Sequence, residues 1–413
     1  MEYPRLRSDI RIDRYFGGPG QLVFVISDVL LNGRDVNAHL YLPPLLWHVA
    51  RFCDGQSDFA AIADKVRSHA QARVGTDLVK QMVHLLDSRY LLDNERSRER
   101  LGLRRSLLQR VPVRKTTSRF LPKRAAVLRT MLERCAAFPL GPGASAAAPA
   151  ASQTTSLTGA VCPHADLKVS GPCAAHVYAA LEASPIPDAV IVAGYNHIYG
   201  ANTIEILLKD AHSPLGLLKV ARKFGEAVCV HAGDALSRDG MAIYHEHSID
   251  MQIPWLQYIA EKRKHEILYL PIILSNVPKR ADVDLALGFR DKIKRVALAV
   301  RKAARQLNQR ICIIASGDFA HAGPYYGGEP VTSQSVGDIM TFDNRAIQMI
   351  LDGNADRFYR MTVGTTYCCT GPVYFLLKAI EWNESKLLKY YTTWDLGKPA
   401  ANINSFASIS FQR

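Results

Sequence analysis

The sequence predicts an α/β fold: a mainly parallel central sheet flanked by helices, with a small α+β domain ahead of it. Apolar runs at 189–193, 267–274 and 311–315 are short, bounded and β-branched, as fully buried strands are. Longer helical patterns lie between them, the clearest from Asp282 to Leu307. Strands that alternate with helices in this way build parallel sheets. Three apolar runs also lead into a histidine. Gly159-Ala160-Val161-Cys162 precedes Pro163-His164, Ala189–Ala193 precedes Gly194-Tyr195-Asn196-His197, and Ile311–Ala315 precedes Ser316-Gly317-Asp318-Phe319-Ala320-His321. In α/β sheets, ligands and reactive groups gather at the carboxyl ends of strands. Three such histidines, with an Asp beside the last, predict one polar site assembled from separated segments.

Taken in order, Leu22–Ile26 reads as a strand by its β-branched content. Leu45, Leu46, Val49 and Phe52 recur at helical spacing, and Asp54-Gly55 ends that helix. Phe59, Ile62 and Val66 mark a second helix, and Val79, Met82, Leu85 and Leu86 a third, before an apolar edge at Tyr90-Leu91-Leu92. These are the parts of a small winged-helix domain over residues 1–94. A helix is expected within Arg119–Phe138, with Leu121, Ala125, Leu128 and Leu132 on one face. Residues 141–156 are rich in Ala, Pro, Ser and Thr, a composition that cannot bury enough apolar surface to order itself. Residues 95–156 are therefore expected as a basic, then Ala/Pro/Ser-rich linker region, and 157–413 as the α/β domain.

The chain's 413 residues suffice for two or three domains, and 48% of them are hydrophobic. No apolar run reaches the roughly 18 residues of a membrane span, so no membrane partner is expected. Met1-Glu2-Tyr3-Pro4-Arg5 leads into no apolar segment, so no secretory signal is expected either. Eight scattered cysteines without CxxC pairs suit a reducing cytoplasm. Much of the net charge of +13 lies between Arg96 and Arg124, where eleven Lys or Arg accompany one acid, Glu99. That run reads as a solvated basic linker, a contact for an anionic partner, or internal pairing. No nucleic-acid-binding motif accompanies it, so nucleic acid is not an expected partner.

Beyond residue 157 the sequence resembles the Memo family. The motifs are Pro163-His164-Ala165, Ser170-Gly171-Pro172-Cys173-Ala174-Ala175-His176-Val177-Tyr178, Gly194-Tyr195-Asn196-His197 and Ser213-Pro214-Leu215-Gly216. Glu246–Pro254, Gly317–Gly323 and Tyr367-Cys368 with Pro372 follow in the family's order. The resemblance implies a fold similar to class III (LigB-like) extradiol dioxygenases, with a cysteine in place of the glutamate iron ligand. It implies His164, His197 and Cys368 as metal ligands, and Asp318, His321 and His247 as catalytic, pocket-lining residues. It also implies partnership with a radical SAM enzyme and an AMMECR1-like protein, as for protein B of the AmmeMemoRadiSam system. The N-terminal segment resembles PqqD-like domains through Leu46-Trp47, Cys53-Asp54-Gly55, Phe59–Ala63 and Tyr90-Leu91-Leu92, which implies a peptide partner.

Two imidazoles and a thiolate suit iron, copper or zinc, and three protein ligands leave positions open for substrate. Iron is the first expectation, copper or zinc the alternatives. Pro372 places Cys368 just ahead of an expected helix, where a thiol pKa should fall. The leading function is a mononuclear iron or copper oxidoreductase. A non-catalytic metal-binding or redox adaptor is the alternative, and a metal-dependent hydrolase the second. Ordinary roles stay open residue by residue: His164 or His197 as a satisfied core histidine, His247 bonded to Glu246. Cys173, Cys229 and Cys312 read as buried thiols. Where the family has Gly-Tyr after Pro163-His164-Ala165, this chain has Asp166-Leu167. Asp166 is expected either to orient His164 or to lie in solvent.

Overall fold

The computed structural model describes residues 2–17, 21–28, 31, 39–143, 155–198, 203–275, 283–397 and 401–413. It divides into two compact units, one built mainly from residues 1–111 and the other mainly from 112–413. Among the described residues no helix is long and apolar enough to cross a membrane.

In the first unit, β1 (Arg11–Gly17), β2 (Gln21–Ser27) and β3 (His39–Leu42) form an antiparallel sheet. Helices Pro44–Arg51, Phe59–Ala70, Thr76–Ser88 and Glu95–Arg110 follow. The Asp58 side chain caps the second by accepting from the Ala61 N–H, and Asn94 and Ser97 form a capping box on the fourth. Ile26, Val49, Ile62, Val79 and Leu86 are fully buried in one core. Each such side chain stabilises the fold by about 1.5–3 kcal/mol. The apolar edge expected at residues 90–92 is an isolated bridge between Leu6 and Leu92.

The second unit holds a large mixed sheet flanked by helices. Its strands are β5 (Leu157–Cys162), β6 (Ala189–Tyr195), β7 (Ile204–Ile206), β10 (Tyr269–Leu274), β11 (Ile311–Ser316), β12 (His321–Ala322), β13 (Glu384–Thr392) and β14 (Ile403–Gln412). The order is β12-β14-β5-β11-β6-β10-β7, with β13 on β14. Only the central β5-β11-β6-β10 block is parallel. The expected mainly parallel sheet is corrected to a mixed one. A C-terminal hairpin of β13 and β14 adds itself antiparallel to β5, and β7 pairs antiparallel with β10.

Residues 113–137, which the sequence reading placed in a linker, are built into this unit. β4 (Val113–Lys115) pairs with β8 (Asp210–Ser213), which pairs with β9 (Gly216–Leu218). The Ala125–Ala137 helix buries Leu128, Leu132 and Cys135 and packs against the Leu167–Ala183 helix. Its apolar face was visible in the sequence, but the basic residues around it masked its membership of a core. Residues 144–154 of the expected linker lie outside the described residues.

The parallel block decides where the site lies. β5, β11 and β6 are neighbours, with Ser316 opposite Cys162 and Ala315 opposite Ala193. Their carboxyl ends therefore deliver Pro163-His164, Gly317-Asp318 and Asn196-His197 side by side.

Candidate metal centre

His164, His197 and His247 form a tight group of rings. Their centroids are 5.1 Å apart for His164 and His197, 5.2 Å for His164 and His247, and 4.3 Å for His197 and His247. Possible ligand atoms of these three all lie within 4.8 Å of one another, and those of His164, Asp318 and Cys368 do the same. His164 is common to both groups. The ligand set drawn from the resemblance thus straddles them, and His247, expected to line the pocket, stands among the imidazoles.

The hydrogen-bond network assigns the imidazole tautomers. Ser316 Oγ donates to the Ser248 carbonyl at 2.6 Å and accepts from Gln252 Nε2 at 2.8 Å. Its hydrogen is spent, so His164 Nδ1, 3.1 Å away, must donate to it. Gln252 is fixed in turn by Tyr178, whose OH donates to its Oε1 at 2.6 Å. His197 Nδ1 donates to Glu246 Oε1 at 2.9 Å, and His247 Nδ1 lies 3.1 Å from the same oxygen. One buried carboxylate therefore orients two rings and makes their Nε2 atoms the candidate ligand atoms, the arrangement of a carboxylate behind metal-binding histidines. Its charge is held further by the backbone N–H groups of His197 at 2.7 Å and Ser248 at 2.8 Å. Burial opposes ionisation of Glu246, but His197 and His247 hold its carboxyl well below the usual range.

The second group is drier. Asp318 Oδ1 accepts from the His164 backbone N–H at 2.8 Å. Asp318 Oδ2 lies 4.0 Å from His164 Nε2 and 3.9 Å from His321 Nε2. His321 Nδ1 donates toward two carbonyls, of Phe319 and Thr366, each 3.0 Å away. Cys368 Sγ accepts from the Asp318 N–H at 3.0 Å and lies 3.3 Å from His164 Nε2. A Cβ on Gly317 would stand 2.4 Å from Cys369 Cα, so only glycine lets β11 approach the cysteine pair. His164, Asp318 and Cys368 are buried, whereas His197, His247 and His321 keep 21%, 18% and 14% of their side chains exposed. A small ligand would arrive from the side of the latter three.

Burial pushes the Asp318 carboxyl up. The expected low pKa of Cys368 is corrected. The helix begins at Thr370 with Cys369 as its N-cap, and burial, with Asp318 and Cys369 nearby, holds the Cys368 thiol well above its ordinary range. A metal cation is what would draw the proton off, since a coordinating thiol ionises outright. Asp166 takes neither expected role: it is half-buried rather than out in solvent, and His164 Nδ1 is turned to Ser316. Asp166 Oδ1 accepts from the Lys168 N–H and caps the Leu167–Ala183 helix. Cys229 is half-buried, unlike the buried Cys173 and Cys312.

Sequence reasoning passed over Ser316 and Gln252 and gave Glu246 no site role of its own. Glu246 was the most accessible of these, being the residue next to His247 inside a quoted motif. Ser316 ends the strand that leads to Asp318. Gln252 lies far from both in sequence, and only the fold brings it to Ser316.

Burial lowers the His197 pKa from 6.5 to about 3 and holds His164 well below 6.5. Both rings are neutral in the folded, metal-free protein near pH 7 but take up protons once unfolded. Below pH 6.5 the unfolded chain binds more protons, so stability falls as the pH drops, by up to about 1.4 kcal/mol per pH unit for each ring. His197→Gln is expected to reduce the loss of stability between pH 6.5 and 4.5, read by urea unfolding of the metal-free protein. An unchanged loss would show that His197 is protonated in the folded state.

A family model described as Memo-like protein matches residues 115–410. A MEMO1 family protein of Methanopyrus kandleri is 28% identical over 298 residues, 71% of this chain and 96% of that protein. One from Pyrococcus horikoshii is 30% identical over 268 residues, 62% of this chain and 87% of that protein. A further one, from Pyrococcus furiosus, is 28% identical over the same length. The first 114 residues lie outside the family match.

Proposed function

From the premise that this chain belongs to the Memo-like protein family, we propose that it is a mononuclear transition-metal protein, an iron oxidoreductase related to class III extradiol dioxygenases. One observation carries the reading. Nδ1 of His164, His197 and His247 is committed as a donor, to Ser316 or to Glu246, which leaves Nε2 of each as the ligand nitrogen. A core that needed only packing has no use for three imidazoles oriented in this way. The donor set fits a borderline metal: His164 and His197 supply nitrogen and Cys368 supplies sulfur, with His247 and Asp318 beside them. Bound iron would supply one-electron chemistry and a cationic centre for an anionic substrate oxygen. Around it, Asp318, whose carboxyl burial pushes up, and His321 are placed within reach of each other and of the imidazoles to give and take a proton.

The thiolate softens the site and raises its affinity for copper and zinc. A copper-holding adaptor is therefore the competing reading. In the proposed reading a radical SAM enzyme and an AMMECR1-like protein are partners, and residues 1–94, resembling PqqD-like domains, recruit a peptide. The setting is the cytoplasm. Purification without oxygen, followed by metal analysis, should give a single equivalent of iron per chain. Exposure to oxygen with catechols should then consume both. A protein that binds copper and consumes no oxygen would favour the adaptor.

A further inference from the structure

We propose that Arg114 is a positioning residue for this site, acting through Asp250 and Glu246, and that residues 112–120 form a strap that sets the imidazoles of His197 and His247. The inference rests on the metal-site reading above. Arg114 and Asp250 are both fully buried and form an ion pair. Arg114 Nε also donates to the Ile243 carbonyl at 2.7 Å, and Nη2 reaches the Glu246 carbonyl at 3.5 Å. One guanidinium thus grips three points of the 243–250 segment, whose member Glu246 holds both rings. The strap holds Asp250 from its other side, since the Thr117 and Ser118 backbone N–H groups donate to Asp250 Oδ2 at 2.7 and 2.8 Å. Farther along, the Phe120 ring meets the His247 ring edge-on, with centroids 5.7 Å apart. The strap is anchored by β4, where Val113, Arg114 and Lys115 pair with Asp210, Ala211 and His212.

Stability alone does not account for this arginine. A buried ion pair is commonly no better for stability than apolar residues of the same volume. Arg114 Nη1 is also buried with no partner among the described residues, a cost of roughly 1–3 kcal/mol. What the pair supplies is a fixed distance between the strap and the segment that carries Glu246 and His247. His164 is held by Ser316, which meets the same segment at the Ser248 carbonyl rather than through Glu246, and so serves as the less strongly coupled comparison.

The test uses the full chain labelled with 15N in its histidines. In the metal-free protein, Arg114→Met should shift or broaden the Nδ1–H signals of His197 and His247 and move that of His164 less. Iron(II) affinity, titrated without oxygen, should fall about 10-fold, the scale of lost outer-shell support. Unchanged signals for His197 and His247 would overturn the proposal. If Arg114→Met does not fold, Phe120→Leu decides. It should move the His247 signal alone, and an unmoved signal overturns the strap. If wild type binds no iron(II), the metal reading fails, while the signals of the metal-free protein still judge the role of Arg114.

Discussion

His164→Ala is expected to abolish metal binding, with the largest effect of any single substitution in this chain. His164 is the residue common to both candidate ligand groups. Its Nε2 lies 3.3 Å from Cys368 Sγ and 4.0 Å from Asp318 Oδ2, and its ring meets those of His197 and His247. Loss of an outer partner of a ligand costs about 10–100-fold in affinity, and loss of the shared ligand should exceed about 100-fold. Anaerobic iron(II) titration measures it. Metal-free stability should change less than for an ordinary buried deletion of this size. The substitution removes a ring whose burial keeps it uncharged, and water can bond the vacated Ser316 hydroxyl. Affinity within about 10-fold of wild type would assign the metal to other residues.

Glu246→Gln is the second large effect. The two carboxylate oxygens accept from His197 Nδ1, from the His197 and Ser248 backbone N–H groups, and face His247 Nδ1. An amide keeps one acceptor oxygen and turns an NH2 group against donors. Either the His197 backbone N–H or the imidazole side loses its partner. Leaving a buried donor unpaired costs about 1–3 kcal/mol, read by urea unfolding of the metal-free protein. Iron(II) affinity should fall about 10–100-fold, because the charged carboxylate behind two rings is replaced by a neutral amide. Wild-type affinity together with lowered stability would reduce Glu246 to a core residue.

What could be read from the sequence was what periodicity and strand ends carry. The apolar runs at 189–193 and 311–315 and the helical pattern from Asp282 to Leu307, which became the strands Ala189–Tyr195 and Ile311–Ser316 and the helix Val283–Gln306, stood out because buried strands and amphipathic helices have distinct apolar spacing. The histidines and Asp318 stood out because each directly follows such a strand. Pairing partners were harder. Nothing local in Ile403–Gln412 says that it lies antiparallel beside β5. Arg114 sat inside a basic run that reads as solvated, although it is fully buried. Its place depends on Asp250, a partner 136 residues away. Cys368 lies in one group with His164 and Asp318, but its electrostatic expectation was wrong. The helix-end effect is modest and confined to the first turn, and burial outweighs it.

X-ray absorption at the iron edge of the anaerobically reconstituted full chain tests the central claim most directly. The account predicts one iron per chain with imidazole nitrogen and a single sulfur in its ligand shell. That sulfur should vanish in Cys368→Ser, and the bound iron should vanish in His164→Ala. An iron surrounded by oxygen alone, or a spectrum that both substitutions leave unchanged, would contradict it.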